Sequence, residues 1–391
     1  MVKKRYRADH IGSLQRPKAL LDEVHSIYEA GHTALMAEER RKDRSRLHAI
    51  EDEAIERVLR RQEEIGLPVV TDGEFRRIMY FNSFFDAVDG IAPSAAKLHF
   101  QDDEGTVVEH EGPAAIVGRL RKIDNPAARE AQFAAAHTGR TVKVTFPTAS
   151  FLVAQAVLGP AVASGAYRSH EEAADALVTI LRELVDETIA AGASYIQFDV
   201  SGYMMMAASP IGQMLRSKGM DVDALLARMM EADRKVVTGL PAHVTTCLHQ
   251  CRGNYASRYI VKHDNLGELG AAFFSLPYDR FTLEWDGRVE RSDTDYEALS
   301  RVPRGGATVV LGVVSTRHRE LESADQIKRT VERAVRHIPL EQLAISPQCG
   351  FASALTTGDD DRPDGNLIDE AVQWQKLALL VDTARDIWGE A

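Results

Sequence analysis

The sequence predicts an α/β fold closed into a (β/α)8 TIM barrel, and three observations carry that expectation. From about residue 141, short β-branched runs alternate strictly with long amphipathic helical stretches. The runs are nearly continuous in apolar or β-branched residues, which implies parallel strands covered on both faces. Their number, counting two from the N-terminal half, reaches the eight strands that close such a barrel.

In chain order, the first candidate strand ends near RADHIGS and the second is LPVVTDG (67–73), with a long charged helix from about Glu38 to Gly66 between them. The irregular stretch 88–125 contains KLHFQDDEGTVVEHEG, read as a hairpin inserted after the second strand. Six cleaner strands follow: TVKVTF (141–146), SYIQFD (194–199), HVTTCL (243–248), RFTLEW (280–285), ATVVLG (307–312) and QLAISP (342–347). Between them lie segments such as EEAADALVTILRELVDETIAAG and SADQIKRTVERAVRHI, whose apolar residues recur at helical spacing. The acidic, turn-rich stretch 353–369 reads as an exposed loop. No internal repeat or linker interrupts the pattern, so residues 1–391 are expected to form one barrel domain.

Composition narrows the function classes. A formal net charge of −11 argues against nucleic acid or an anionic membrane as partner, since either repels it. The basic start MVKKRYR is not followed by an apolar region, so it does not read as a signal peptide. No stretch approaches the ~18 apolar residues that indicate a membrane span. Three cysteines give no disulfide framework, and a cytoplasmic protein is expected. Composition leaves homo-oligomerisation open.

Four metal-ligating residue types stand where predicted strands end. His249 and Cys251 follow HVTTCL, Glu284 closes RFTLEW, and Cys349 follows QLAISP. In a barrel, the C-terminal ends of the strands converge on one mouth. The H-x-C spacing places two side chains on the same side of an extended segment. Two thiolates, an imidazole and a carboxylate suit Zn²⁺. Singly, each has a plainer reading: a buried cysteine, or a salt-bridged carboxylate. Cys247, within the strand, reads as core. Thiolate-bound zinc is a poor activator of water but holds an incoming thiol as thiolate, so alkyl transfer to sulfur is the expected chemistry.

At these residues the chain resembles the cobalamin-independent methionine synthase family, in a short form similar to its catalytic half. The resemblance rests on DHIGSLQRP (9–17), VVTDGEFRR (69–77), YIQFD (195–199), HQCRGN (249–254), LEWD (283–286) and SPQCGFAS (346–353). It implies zinc held by His249, Cys251, Glu284 and Cys349. It also implies homocysteine gripped by Glu74 and Asp199 at its ammonium, and by Ser13 with the backbone around Ile11 at its carboxylate. His10 lies beside them as a further mouth candidate. Phe146 and Ser150 of TFPTAS are candidates for contact with a folate-like donor, and Tyr203 for lining the pocket. Competing readings are a turn residue for Ser13, a strand end paired with Arg76 or Arg77 for Glu74, a helix N-cap for Asp199, and a structural histidine for His10.

Two departures from the long family members bear on mechanism. Their Asp-Glu-Pro after the fourth strand becomes Asp199-Val200-Ser201-Gly202-Tyr203, leading into YMMMAASP. Their catalytic histidine after the seventh strand falls at about Arg317 in VVSTRHRE, with His318 adjacent as the residue that could substitute in acid catalysis. The function implied is zinc-dependent S-methyl transfer from a methylfolate or related small donor to homocysteine. The alternative enzyme is a zinc thiol alkyltransferase of the epoxyalkane:coenzyme M transferase type, against which Glu74 and Asp199 argue, because coenzyme M has no ammonium. A third reading is a silent barrel with structural zinc.

Overall fold

A computed structural model describes residues 5–27, 44–92, 97–111, 115–200, 202–207, 210–261, 266–285, 291–352, 355 and 366–391. The strands are β1 (Val69–Val70), β2 (Val88–Ala92), β3 (Lys97–Gln101), β4 (Val107–Glu111), β5 (Ala115–Lys122), β6 (Thr141–Pro147), β7 (Tyr195–Val200), β8 (Thr245–Gln250), β9 (Arg280–Glu284), β10 (Thr308–Val314) and β11 (Leu343–Pro347). Seven of them form one parallel sheet in the order β1-β6-β7-β8-β9-β10-β11.

The sheet curls, because both of its edges reach the same N-terminal segment. At one edge, Asp9 N donates to Ile345 O and Ile345 N donates to Arg7 O. At the other, Thr71 Oγ1 donates to Gly12 O and Leu14 N to Gly73 O. The arrangement is consistent with a TIM-type barrel. The N-terminal segment contributes one parallel bridge, Ala8 to Ile345, rather than a regular ladder.

Helices start where their sequences supply caps. Thr148, Ser169, Asp221 and Asp369 each accept a backbone N–H at the start of the helices Ala149–Leu158, His170–Ala190, Val222–Val237 and Glu370–Trp388. The predicted charged helix spans Ser45–Ile65 and ends at Gly66, whose φ of 89° provides a left-handed cap. Its expected start near Glu38 and most of the 353–369 loop lie outside the described residues. The stretch after β1 carries two antiparallel ladders, β2 with β5 and β3 with β4.

Period-two alternation divides every strand of the parallel sheet into an outer and an inner face. Val142, Val144, Phe146, Ile196, Phe198, Leu248, Phe281, Leu283, Val309 and Leu311 join the main apolar core, which also takes in helix residues such as Leu177 and Leu377. The inner face is polar. Lys143 donates to Asp9 Oδ1 (2.5 Å), His10 O (2.5 Å) and Gln197 Oε1 (3.0 Å), and Tyr195 donates to Asp9 Oδ2 (2.7 Å). Arg280 lies 3.4 Å from Asp9. Lys143 and Arg280 beside Asp9 hold its carboxyl below the usual range against the opposing effect of burial. Cys247 is buried on this face, 3.2 Å from Thr282 Oγ1. No helix among the described residues is long and apolar enough to cross a membrane.

Candidate functional site

β8 runs two residues further than the sequence indicated, to Gln250, so His249 ends the strand's inner face and Cys251 opens the following loop. His249, Cys251 and Cys349 place one ligand atom each within 4.8 Å of the others. The two sulfurs are 3.2 Å apart. Cys349 sits on the loop after β11, and the backbone N–H of Gly253 points at Cys251 Sγ from 3.1 Å. Gly253 adopts φ 93°, and a Cβ there would lie 2.9 Å from the Ile260 backbone, so the close turn requires glycine.

The donor set fits a soft or borderline cation. His249 Nδ1 faces Thr282 O at 3.3 Å, which selects the tautomer that leaves Nε2 as a lone-pair donor. Nε2 is buried and without a hydrogen-bond partner. Two thiols at this distance cannot both ionise without a cation between them. The hydrogen bond to Cys251, with His249 adjacent, pulls the Cys349 thiol down, and the same hydrogen bond pushes Cys251 up.

Glu284 stands beside this group but is engaged elsewhere. Its Oε1 accepts from Arg252 N (2.5 Å) and Arg317 Nη2 (3.2 Å). Its Oε2 accepts from Arg252 Nε (2.9 Å) and Arg317 Nη2 (3.0 Å). Burial opposes ionisation, but Arg317 and Arg252 overcome it and hold the carboxyl at about 2. The structure therefore brings three of the four expected ligands into one cluster and places the fourth in an arginine clamp.

The second group is a pair of buried carboxylates. Asp199 ends the inner face of β7 and accepts from Gln197 Nε2 at 2.8 Å. Burial pushes it up to about 7, with His249 opposing the rise and Glu74 adding to it. Glu74 has a φ of 59°, a left-handed conformation rare outside glycine and concentrated at functional sites. Its Oε1 accepts from Thr145 Oγ1 (2.6 Å), which itself accepts from Arg77 Nη1 (2.7 Å). Arg77 is bound through both Nε and Nη2 to Glu130. Burial raises the Glu74 carboxyl, with Arg77 as the main opposing charge. Gly12 makes room for this group: a Cβ there would lie 2.7 Å from Glu74 Oε1.

The remaining candidates are distributed as follows. Ser13 Oγ accepts from Ala352 N (3.3 Å), on the loop that carries Cys349, and Ile11 O accepts from Gln197 Nε2 (2.6 Å), which also donates to Asp199. His10 is buried beside Lys143, and burial lowers its imidazole to about 3, so it is neutral. Phe146 points outward into the core, 6.3 Å from the Phe198 ring, because it shares strand parity with Val142 and Val144. Ser150 and Tyr203 are buried around Asp233, which accepts from Ser150 N (2.8 Å) and from the Tyr203 hydroxyl. His318 pairs with Asp103, in the turn between β3 and β4, at 3.3 Å. Sequence reasoning passed over Thr145, Gln197 and Arg252, whereas Arg77 was named as a competing partner for Glu74 and stands with its Nη1 3.8 Å from Glu74 Oε1. The first two could have been found from alternation, since Lys143/Thr145 and Tyr195/Gln197/Asp199 share inner-face parity.

A curled parallel sheet with two thiols and an imidazole gathered at its strand ends defines an α/β protein able to hold a metal ion there. The chain belongs to the family described as cobalamin-independent synthase, catalytic domain, whose profile matches residues 29–358. It is 31% identical over 388 residues to the uncharacterized protein YxjH of Bacillus subtilis, covering 98% of this chain and 95% of that one. A solved structure from Listeria monocytogenes, provisionally named a vitamin-B12 independent methionine synthase, is 26% identical with a TM-score of 0.70 and covers 100% of both chains. A B12-independent methionine synthase from Shewanella sp. W3-18-1, solved with selenomethionine, shares the fold at 19% identity, with a TM-score of 0.65 over 98% of both chains.

Proposed function

We propose that the chain is a zinc-dependent S-methyltransferase that makes methionine from homocysteine, with a methylfolate or related small molecule as methyl donor. In this reading residues 1–391 form one closed eight-strand barrel, with the segment around Ala8 as its remaining strand and the β3–β4 hairpin as an insertion. The observation that carries the reading is the adjacency of a thiol–imidazole cluster and two buried carboxylates at one strand end. His249 and Asp199 are direct register partners across β7 and β8.

His249, Cys251 and Cys349 would hold the zinc, with Glu284 at its edge. A zinc ion bound there supplies one thing, a substrate thiol kept as thiolate at neutral pH. Arg77, 3.8 Å from Glu74 Oε1, is shared with Glu130, and Asp199 accepts from the neutral Gln197 amide, so the pair keeps acceptor capacity that suits the substrate ammonium. Ser13, with the backbone around Ile11, would take the substrate carboxylate. With the amino acid fixed at both ends, its sulfur is positioned to attack the methyl carbon. The S–C bond forms as the bond from carbon to the donor atom breaks, and that atom takes the electron pair and a proton. His318 is the candidate proton source, and its 3.3 Å contact with Asp103 ties that role to the hairpin.

Mass spectrometry of products after incubating the zinc-loaded chain with homocysteine and a panel of methyl donors tests the proposal. Methionine formed with one donor, and lost on zinc removal, is expected. Turnover of coenzyme M with an epoxide, and none of homocysteine, would overturn it.

A further inference from the structure

We propose that Gln197 is a specificity-determining positioning residue: its amide sets the spacing between Asp199 and the Ile11–Ser13 turn, and so decides which hand of an amino acid thiol the site accepts. This rests on the homocysteine reading given above and deepens it. Gln197 is fully buried and lies one inner-face rung below Asp199 on β7, so it acts through its neighbours and not on the ligand itself.

The amide has one orientation open to it. A lysine ammonium can only donate. The three hydrogens of Lys143 go to Asp9 Oδ1 (2.5 Å), His10 O (2.5 Å) and Gln197 Oε1 (3.0 Å). A flipped amide would turn its own N–H groups on that ammonium. Gln197 Nε2 therefore faces the other way, where its two hydrogens reach Ile11 O (2.6 Å) and Asp199 Oδ1 (2.8 Å). Every hydrogen of the pair is used, and Asp9 anchors Lys143 in turn.

One nitrogen thus holds a point on each of the two segments assigned to the amino acid. Ile11 O and Asp199 Oδ1 can lie no further apart than the two bonds laid end to end. On one side the bond engages Asp199 through Oδ1 and leaves Oδ2 for an ammonium. On the other it fixes the peptide plane that opens the turn, because in a trans peptide the Gly12 N–H points opposite to the Ile11 carbonyl. The next carbonyl, Gly12 O, accepts from Thr71 Oγ1 (2.7 Å), which fixes the Ser13 N–H in the same way. With sulfur held as a third point, two fixed ends tell one hand of the α-carbon from the other.

The test is calorimetric titration of the full zinc-loaded chain with L-homocysteine and with D-homocysteine, with circular dichroism as a fold check. The enantiomers carry the same charges and bulk, so a general loosening of the fold weakens both alike and only a change of spacing moves their ratio. Wild type is expected to bind the L form at least tenfold tighter. Gln197→Glu keeps the side-chain shape and the bond to Lys143 but removes both N–H donors, and should cut the ratio at least fivefold. Gln197→Met removes the donors without adding a charge; it should do the same, and it serves if the glutamate variant does not fold.

An unchanged ratio in the variants, whatever their absolute affinities, overturns the inference, as does a wild type with no preference for the L form. If wild type holds zinc and binds neither enantiomer, the homocysteine reading fails and takes this inference with it.

Discussion

Thr145→Val isolates one hydroxyl at the carboxylate pair while nearly preserving side-chain shape. That hydroxyl donates to Glu74 Oε1 at 2.6 Å and accepts from Arg77 Nη1 at 2.7 Å, so it bridges two groups whose charged atoms stand 3.8 Å apart. A hydrogen bond to a charged group contributes about 1.5–3 kcal/mol. Losing it disfavours ionised Glu74, which burial already disfavours. If Glu74 holds the substrate ammonium, the KM for homocysteine at neutral pH should rise roughly ten- to hundredfold, since each 1.4 kcal/mol is tenfold. The defect should shrink at higher pH, where Glu74 ionises again, and kcat should change little. Steady-state kinetics from pH 6 to 9 read this directly, with 4-mercaptobutyrate, which lacks the amino group, as the control thiol. Thr145→Ser restores the hydroxyl and should restore affinity. An equal loss for both thiols at every pH, or no rescue by serine, would refute the assignment of Glu74 to the ammonium.

Other expectations rest on separate features. Gly12→Ala places a methyl 2.7 Å from Glu74 Oε1 and 2.9 Å from Thr145 Cγ2, so homocysteine affinity should fall at least tenfold, measured by calorimetry, while 4-mercaptobutyrate binding is spared. Asp199 is pushed up to about 7, so the native state holds a proton there that the unfolded chain releases nearer pH 4. Its contribution to stability is therefore full below about pH 4 and lost as pH rises through 7. Asp199→Asn should remove a slope of up to about 1.4 kcal/mol per pH unit from denaturation midpoints between pH 5 and 7. Phe146→Ala should cost about 3–5 kcal/mol in denaturant unfolding with KM for the methyl donor unchanged, because the ring packs in the core. Cys349→Ser should weaken zinc far more than Cys247→Ser in chelator competition, since Cys247 lies within the sheet beside Thr282.

The strands β6 to β11 were legible because β-branched runs bounded by turn formers have few other uses. Boundaries were less so. HVTTCL yields a strand two residues later, because Pro241 to Val244 are spent in a turn closed by Val244 N to Pro241 O. The first strand shrinks to one bridge, and LPVVTDG to two residues, where Asp72 Oδ1 caps Glu74 N and diverts the backbone from pairing. At the site, ligand types at strand ends located the thiol–imidazole group without structural help. Orientation was available but unused for Phe146, whose parity with Val142 and Val144 already turned it outward. The arginine clamp could not be read, because Arg252, Glu284 and Arg317 are far apart in sequence and only β8, β9 and β10 lying side by side unite them.

The polar inner face of the sheet makes the floor and rim of the molecule interdependent. From Arg280 through Asp9, Lys143 and Gln197, successive contacts lead to Asp199. A substitution deep below the opening would thus be felt where the amino acid docks, without touching it. Anyone seeking to retune preference for the acceptor could begin at Gln197, two rungs beneath the surface, leaving the rim untouched.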